Sequence, residues 1–374
     1  MNPENRFQET DPEAGPTSDS EMNAAPVASL PKPQSRRLGR RSIPVSLIGF
    51  GAAPLGDLYQ NLDEETAIAT LRAALAAGIT LFDTSPHYGN GLAEHRCGTG
   101  LRGSSRDAYV LSTKVGRHMN PSRSGGTAVG VGAATPGFAG GLPHQAVVDY
   151  SYDGTMRALE QSLLRLGVDR IDILLIHDVD VWTHGKDAIE ARFKEAMQGA
   201  YVALAKLRDE GVVKAIGVGL NEVEMCERFA KAGDFDTMLL AGRYSLLEQT
   251  ALDGFLSLAV QKGIGLMLGG VFNSGILATG AVPGARYNYR AAPPDILAKV
   301  ERIEGVCRAH GVGLADAALR FPLGHEAVAS VVLGAVAPQE VERNVASLAK
   351  PIPAALWSDL KSEGLLRQDA PTPG

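Results

Sequence analysis

The chain has 374 residues, of which 45% are hydrophobic and 21% charged, and its formal net charge is −6. This length allows one large α/β domain or two smaller ones. The acidic balance argues against binding to nucleic acid or to a membrane surface, because both need a basic face. The three cysteines, Cys97, Cys226 and Cys307, form no CxxC pair, which indicates a reducing compartment without a metal site or disulfide framework. No apolar run approaches the roughly 20 residues that span a bilayer, so we expect a cytoplasmic protein.

Two segments lack the periodicity of regular structure. Residues 1–35 are rich in Pro, Ser, Glu, Asn and Ala, which predicts a disordered tail ahead of a single domain over residues 36–374. The second segment is the glycine-rich stretch 125–141, which predicts a mobile loop.

The start of the domain offers two interpretations. The twin arginines at positions 36 and 37 precede an apolar stretch, as in a twin-arginine export signal. Pro44 and Pro54 interrupt that stretch, and no A-x-A cleavage site follows. We therefore favour a short hairpin over residues 36–46.

A glycine-rich loop at residues 49–56 invites comparison with a dinucleotide-binding fingerprint. That fingerprint needs its last glycine at the start of a helix, where the pyrophosphate meets the helix N-terminus. Here the helix begins only at Asp63, Pro54 lies inside the loop, and the glycine spacing is wrong. We reject a Rossmann site at this loop.

From the first strand onward, short apolar runs alternate with amphipathic helices. Predicted strands occupy residues 47–50, 79–82, 108–112, 171–176, 213–218, 237–241, 264–268 and 329–333. Predicted helices occupy residues 63–78, 91–101, 153–166, 193–210, 222–231, 249–262, 294–310, 314–323, 338–348 and 354–365. Eight such strands, each followed by a helix, predict a (β/α)8 barrel, with a doubly wound sheet as the alternative.

Ionisable side chains follow three neighbouring strands of this pattern. Asp83 and Tyr88 follow the second strand, Lys114 the third and His177 the fourth. Because barrel enzymes build their sites at the carboxyl ends of the strands, we expect these four groups to share one site. Each alone has an ordinary structural interpretation, but four complementary groups together predict catalysis.

Their chemistry fits proton transfer coupled to carbonyl or alcohol redox. The ordinary pKa of a Tyr is about 10, and we expect a nearby Lys114 ammonium to lower the pKa of Tyr88. Asp83 can hold Lys114 in place, and His177 can orient the reacting oxygen. The sequence has no metal-ligand spacing and no nucleophilic Ser or Cys beside a base, so we predict neither a metal site nor hydrolysis.

Three motifs resemble the aldo-keto reductase superfamily over essentially residues 36–366. They are FDTSPHYG at residues 82–89, LSTKVGR at 111–117 and LLIHD at 174–178. The resemblance implies a (β/α)8 fold, a nicotinamide cofactor across the barrel mouth and a catalytic tetrad of Asp83, Tyr88, Lys114 and His177. Further stretches at residues 149–180, 215–222 and 239–249 resemble the aldose 1-dehydrogenase branch, which includes L-galactose and pyridoxal 4-dehydrogenase-like proteins.

The resemblance also implies a set of cofactor contacts. Asn221 matches the residue that binds the nicotinamide carboxamide, while the usual Gln partner falls on Ala241, near Arg243. The stacking aromatic falls near Gly269, where Phe272 can replace it. The adenosine phosphate site is implied for residues 333–344, which contribute Gly334, Glu340 and Asn344.

The position of Glu340 decides the expected cofactor. Relatives that use NADP carry a basic residue four positions before the residue that matches Asn344. In this chain Glu340 occupies that position, and its carboxylate would repel a 2′-phosphate and accept a hydrogen bond from a free ribose 2′-hydroxyl. We therefore predict NAD over NADP, although Glu340 also suits the first turn of a helix.

The resemblance predicts an enzyme that oxidises the anomeric hydroxyl of an L-fucose, L-galactose or D-arabinose type aldose to the lactone. The alternatives are an aldehyde or pyridoxal/pyridoxine oxidoreductase on the same site, and a non-catalytic, cofactor-binding regulatory subunit. The expected partner is a small sugar or aldehyde, and we expect a monomer or small homo-oligomer.

Overall fold

The computed structural model describes residues 33–121 and 138–374. The predicted disordered tail lies outside the described residues except for positions 33–35, and so does most of the predicted mobile loop. Eight parallel strands close into a barrel, with bounds Ile48–Gly51, Leu81–Asp83, Val110–Val115, Ile173–His177, Ala215–Leu220, Thr237–Ala241, Gly265–Gly269 and Val328–Leu333.

The eight strands follow one another around the barrel in chain order, and the eighth returns to pair with the first. Val331 lies in register with Ile48 where the barrel closes. Closure confirms the predicted (β/α)8 fold and rules out the doubly wound alternative, which would leave two open edges.

Helices follow the strands and cover the outside of the barrel. The α-helices are Glu64–Ala76, Leu92–Leu101, Tyr152–Leu166, Val181–His184, Ile189–Gln198, Ala200–Asp209, Val223–Ala232, Phe255–Lys262, Ile276–Thr279, Pro294–Ala309, Leu314–Arg320, Pro338–Ala349 and Ala354–Ser362. Short 3₁₀ helices occupy Ala53–Gly56, Tyr88–Gly91, Arg106–Ala108, Thr250–Asp253 and Phe321–Gly324. Among the described helices, none has the length and apolarity needed to cross a membrane.

The helix starts depend on local capping. The helix Glu64–Ala76 is capped by Asp63, whose side chain accepts a hydrogen bond from the backbone amide of Thr66. The sequence predicts the same start for this helix. The helix Tyr152–Leu166 begins one residue before the predicted range and is capped by Ser151, and Asp153 lies inside its first turn. An acidic residue at that position still interacts favourably with the helix dipole.

The helix predicted over residues 193–210 is two helices that meet at Gly199. The backbone of Gly199 departs from ideal helical dihedral angles, with φ −111° and ψ −77°. A Cβ at this position would lie 2.4 Å from the carbonyl oxygen of Tyr150. The break therefore comes from a close crossing of two distant segments, which periodicity along one helix does not reveal.

The amino end of the barrel is closed by an antiparallel hairpin, Ser35–Leu38 with Ile43–Ser46, which confirms the predicted hairpin. Its Leu38, Ile43 and Val45 are buried among the residues that fill the barrel interior. Two hairpins outside the barrel, which we do not predict from the sequence, are Arg117–Pro121 with His144–Val148 and Arg286–Tyr287 with Arg290–Ala291.

The third and fourth strands run further toward the carboxyl end than predicted. Lys114 lies inside the third strand, not after it, and His177 is the last residue of the fourth. Both side chains are consequently held by strand backbone, which is more rigid than a loop.

Candidate active site

The base of the site is a buried ion pair between neighbouring strands. Lys114 Nζ donates to Asp83 Oδ2 at 2.6 Å and to the carbonyl oxygen of Thr84 at 2.8 Å. The other carboxylate oxygen, Asp83 Oδ1, accepts from Ser112 Oγ at 2.8 Å. Burial alone would lower the pKa of Lys114, but the charges of Asp83 and Tyr88 outweigh burial and raise it. Lys114 is therefore a cation with fixed geometry.

Tyr88 lies against this cation. Lys114 Nζ is 4.9 Å from the centroid of the Tyr88 ring. We expect from the sequence that Lys114 lowers the pKa of Tyr88, and its charge does act in that direction. The net shift is the opposite, because burial of the phenol is the larger effect and raises the pKa of Tyr88 to about 12. The predicted effect of Lys114 is therefore present, but it does not set the net direction of the shift.

The position of Tyr88 is fixed by a close crossing of two glycines. A Cβ on Gly89 would lie 2.5 Å from the carbonyl oxygen of Gly56, and a Cβ on Gly56 would lie 2.5 Å from the carbonyl carbon of Tyr88. Gly89 also has a φ of +61°. Only glycine at both positions allows the two segments to approach this closely.

His177 is a neutral hydrogen-bonding group. Burial, followed by the charges of Lys114 and Arg117, lowers the pKa of His177 well below its ordinary value. Its Nδ1 is 3.2 Å from Ser85 Oγ, which also accepts from the backbone amide of His87 at 3.1 Å. A Ser85 hydroxyl that donates to Nδ1 leaves the ring proton of His177 on Nε2.

A second buried ion pair lies beside His177. Arg117 Nη1 donates to Asp178 Oδ2 at 2.8 Å, and Asp178 Oδ1 is 3.3 Å from His177 Nε2. Asp178 has a φ of +55°, a left-handed conformation that Asp tolerates better than most residues. The pair therefore adds a fixed positive and negative charge to the site.

Tyr88, Lys114, His177 and Asp178 line one pocket of about 650 Å³, including space open to solvent. Its polar and aromatic lining residues are His87, Tyr88, Lys114, Phe138, His177, Asp178 and Tyr289. Its other lining residues are apolar or glycine apart from one amide, namely Ala53, Leu58, Gly219, Leu220, Asn221, Leu239 and Ala241. Asp83 lies behind the pocket, under Lys114.

The glycine and alanine residues of the lining leave room for a flat ring such as nicotinamide. A Cβ on Gly219 would lie 3.3 Å from Lys114 Cε, so a side chain there would fill space beside the cation. The backbone amide of Asn221 donates to Asp180 Oδ2 at 3.2 Å. The backbone carbonyl oxygen of Asn221 accepts from Arg243 Nε at 2.8 Å. Asn221 is thus braced from both sides, and Arg243 acts on it through the backbone.

Asp180 is itself unusual. Burial, followed by the charge of Asp178, raises the pKa of Asp180 to about 6. Its Oδ1 caps the short helix Val181–His184 by accepting from the amide of Thr183 at 2.9 Å.

The remaining predicted cofactor residues lie outside this pocket. Phe272 is partly buried in the loop after the seventh strand, and Gly334 is exposed directly after the eighth. A Cβ on Gly334 would lie 2.6 Å from Pro54 Cγ, so this backbone also needs a glycine for packing. Glu340 and Asn344 lie on the helix Pro338–Ala349.

Glu340 has a local role as well as a predicted cofactor role. Its Oε2 accepts from the backbone amide of Val336 at 2.9 Å, across the N-terminus of the helix. Its Oε1 is 3.9 Å from Arg343 Nη2. One carboxylate oxygen therefore stabilises the helix start, as the alternative interpretation of this residue expects.

Several pocket residues escape the prediction from strand ends. Asp178 directly follows His177 at the end of the fourth strand, so the expectation of site residues at strand ends applies to Asp178 as well. Phe138 and Tyr289 belong to loops distant in sequence, and no local signal marks them. Among the described residues, no group of three or more His, Cys, Asp or Glu side chains could hold a metal ion.

Comparison with known protein families covers most of the chain. The model of the aldo/keto reductase family matches residues 47–363. A pyridoxal 4-dehydrogenase from Microbacterium luteolum is 41% identical, and the match covers 89% of this chain and 98% of the relative. A D-threo-aldose 1-dehydrogenase from a Pseudomonas species is 37% identical, with coverages of 88% and 96%. An L-galactose dehydrogenase from Arabidopsis thaliana is 28% identical, with coverages of 85% and 89%.

Solved structures show the same fold. The holo form of an aldo-keto reductase from Bacillus halodurans superposes with a TM-score of 0.68 at 24% identity, covering 89% of this chain and 96% of that one. At this identity the likeness concerns the fold. The family match over most of the chain and the relatives above 30% identity show that this oxidoreductase belongs to the aldo/keto reductase family.

Proposed function

We propose that the protein is an NAD-dependent dehydrogenase that oxidises the anomeric hydroxyl of an aldose, of L-fucose, L-galactose or D-arabinose type, to the lactone. The observation that carries the proposal is the buried 2.6 Å pair of Lys114 and Asp83 beneath the Tyr88 phenol, in a pocket that His177 also lines. A phenol with an adjacent cation supports proton exchange with an alcohol or carbonyl oxygen. The 37% identical aldose dehydrogenase supports a sugar as the substrate.

In this proposal the nicotinamide cofactor binds at the mouth of the barrel. When bound, the nicotinamide ring supplies the acceptor or donor of the hydride. Asn221 would hold its carboxamide, braced by Arg243, and Phe272 would contact the ring. Gly334, Glu340 and Asn344 would hold the adenosine end.

In this proposal Tyr88 carries the proton. As phenolate it accepts the proton of the anomeric hydroxyl, and as phenol it returns a proton to the carbonyl in the reverse direction. Lys114 favours the phenolate, while Asp83, with both oxygens engaged by Lys114 and Ser112, holds Lys114 and moves no proton. His177 donates from Nε2 to the reacting oxygen and orients it.

The proposed preference for NAD rests on Glu340. One of its oxygens is taken by the amide of Val336, but the other remains available to accept from a ribose 2′-hydroxyl. The negative charge would repel a 2′-phosphate. A catalytic efficiency with NADP⁺ equal to or above that with NAD⁺ would contradict this preference.

Pyridoxal is the second candidate substrate, because the relative at 41% identity is a pyridoxal 4-dehydrogenase. Pyridoxal and aldoses share a chemical feature, since both close into cyclic hemiacetals whose oxidation gives a lactone. The same proton carrier and the same hydride acceptor would serve both substrates.

The test is an absorbance assay of NADH formation. The protein would be incubated with NAD⁺ and, separately, with L-fucose, L-galactose, D-arabinose, pyridoxal, pyridoxine and simple aldehydes. We expect NADH and the corresponding lactone with at least one of the three sugars. NADH formation with pyridoxal alone would favour the second candidate, and cofactor binding without any turnover would favour a regulatory subunit.

We also propose that the protein works in the cytoplasm as a monomer or small homo-oligomer. All three cysteines are free and buried, which suits a reducing compartment. Light scattering coupled to gel filtration would determine the oligomeric state.

A further inference from the structure

His87 is a buried histidine whose polar atoms have no protein partner. Its side chain lines the pocket, and the residue is 7% exposed. Within residues 33–121 and 138–374, neither Nδ1 nor Nε2 has a hydrogen-bond partner. A buried polar group without a partner costs about 1–3 kcal/mol, so most such groups are paired.

The position of the ring is well defined. Its centroid is 5.7 Å from that of Phe138 and 6.3 Å from that of His177, both in edge-to-face geometry. The backbone amide of His87 donates to Ser85 Oγ, the atom that also contacts His177 Nδ1. Ser85 therefore contacts both histidines and fixes their relative arrangement in the pocket.

The His87 ring is neutral. Burial, followed by the charge of Arg117, lowers its pKa to about 3. A neutral imidazole offers one N–H donor and one acceptor nitrogen. A hydroxyl group can pair with either nitrogen, because it both donates and accepts.

We propose that His87 is a specificity residue that binds a substrate hydroxyl on the carbon next to the reacting carbon. This inference rests on the proposed function and deepens it. In the proposed function His177 donates a hydrogen bond to the reacting oxygen. His87 lines the same pocket beside His177, so oxygens on two adjacent substrate carbons can form hydrogen bonds with the two rings. A substrate with this hydroxyl forms a hydrogen bond with a ring nitrogen of His87 that is otherwise buried without a partner. An analogue that lacks the hydroxyl leaves this nitrogen unpaired.

The experiment compares matched substrates and matched variants. The oxidative pair is an aldose that the protein turns over and its 2-deoxy analogue, with NAD⁺. The reductive pair is 2-hydroxypropanal and propanal, with NADH. The variants are His87→Phe and His87→Met, which remove both nitrogens, and His87→Gln, which keeps a donor and an acceptor.

We expect the wild type to favour the hydroxylated member of each pair in kcat/KM. His87→Phe and His87→Met should reduce that preference by about tenfold to a hundredfold, which corresponds to a lost hydrogen bond to a buried group. His87→Gln should restore part of it. Thermal unfolding and NAD⁺ binding of each variant identify any loss of folding, and two apolar replacements of different shape guard against a single misfolded variant.

The inference would be overturned if His87→Phe and His87→Met lowered kcat/KM equally for both members of a pair, because a loss of packing alone would explain that result. It would also be overturned if these variants kept the wild-type preference for the hydroxylated substrate. If no sugar or pyridoxal is oxidised while the reductive pair still shows a preference that depends on His87, the proposed function fails and the role of His87 stands. The two failures are therefore distinguishable.

Discussion

Asp83 Oδ2 lies 2.6 Å from Lys114 Nζ, and the two side chains are only 3% and 1% exposed. Asp83 ends the second strand of the barrel and Lys114 lies inside the third, so two rigid elements fix their separation. A buried pair of this kind adds little net stability, but removing one partner leaves an uncompensated charge. The function of the pair is to hold the Lys114 cation in a fixed position beside the Tyr88 ring.

The first prediction concerns this pair. Asp83→Ala should lower the free energy of unfolding by about 3–5 kcal/mol, because Lys114 would stay buried without its counter-ion. Urea denaturation followed by circular dichroism measures the change. Asp107→Ala is the control, since Asp107 pairs with Arg170 at the surface with 87% of its side chain exposed, and its loss should change stability little. Equal effects of the two substitutions would contradict the prediction.

The second prediction concerns the proton carrier. Tyr88→Phe should lower turnover by at least about a hundredfold, because the proton transfer loses its acid/base group. Binding of NAD⁺, followed by fluorescence titration, should change little, since the ring is retained beside Lys114. A variant with near wild-type turnover would show that another group carries the proton.

The third prediction is a pH dependence whose sign follows from the raised pKa of Tyr88, about 12. Oxidation needs the phenolate, which is scarce below that pKa, so kcat/KM for oxidation should rise about tenfold per pH unit between about pH 6 and 9. Reduction needs the phenol, which is fully populated there, so its pH profile should be flat. The comparison requires initial rates in both directions. An oxidation profile that is flat over this range would contradict Tyr88 as the base.

The fourth prediction separates the two roles of Glu340. Glu340→Gln keeps an oxygen that can accept from the amide of Val336 but removes the negative charge. It should raise the ratio of NADP⁺ to NAD⁺ efficiency by about tenfold, with little change in Tm. Glu340→Lys removes both features, so it should raise the ratio further and lower Tm. Unchanged cofactor preference in both variants would restrict Glu340 to helix capping.

The barrel could be predicted because parallel strands are covered on both faces. Their sequences are therefore continuous apolar runs, and each run is visible locally. The grouping of Asp83, Tyr88, Lys114 and His177 follows from the same pattern, since strand ends of a barrel meet at one mouth. The composition alone could not supply the roles of these residues, which came from their chemistry and from the family resemblance.

The tertiary structure decided what depends on segments far apart in the chain. The crossing of Gly199 with Tyr150 divides a helix that periodicity predicts as continuous. Arg117 and Asp178 pair across 61 positions. The pKa of Tyr88 depends on how many atoms surround the phenol as well as on Lys114.

His87 illustrates the same division most clearly. The sequence places a histidine beside Tyr88 after the second strand, and local pattern goes no further. Only the folded chain shows that its ring is buried, lies beside Phe138 and His177, and has two nitrogens without partners in the described part of the chain. Sequence determines which residues are apolar, ionisable or able to cap a helix. Desolvation and pairing are properties of the space around a residue, and that space is assembled from the whole fold.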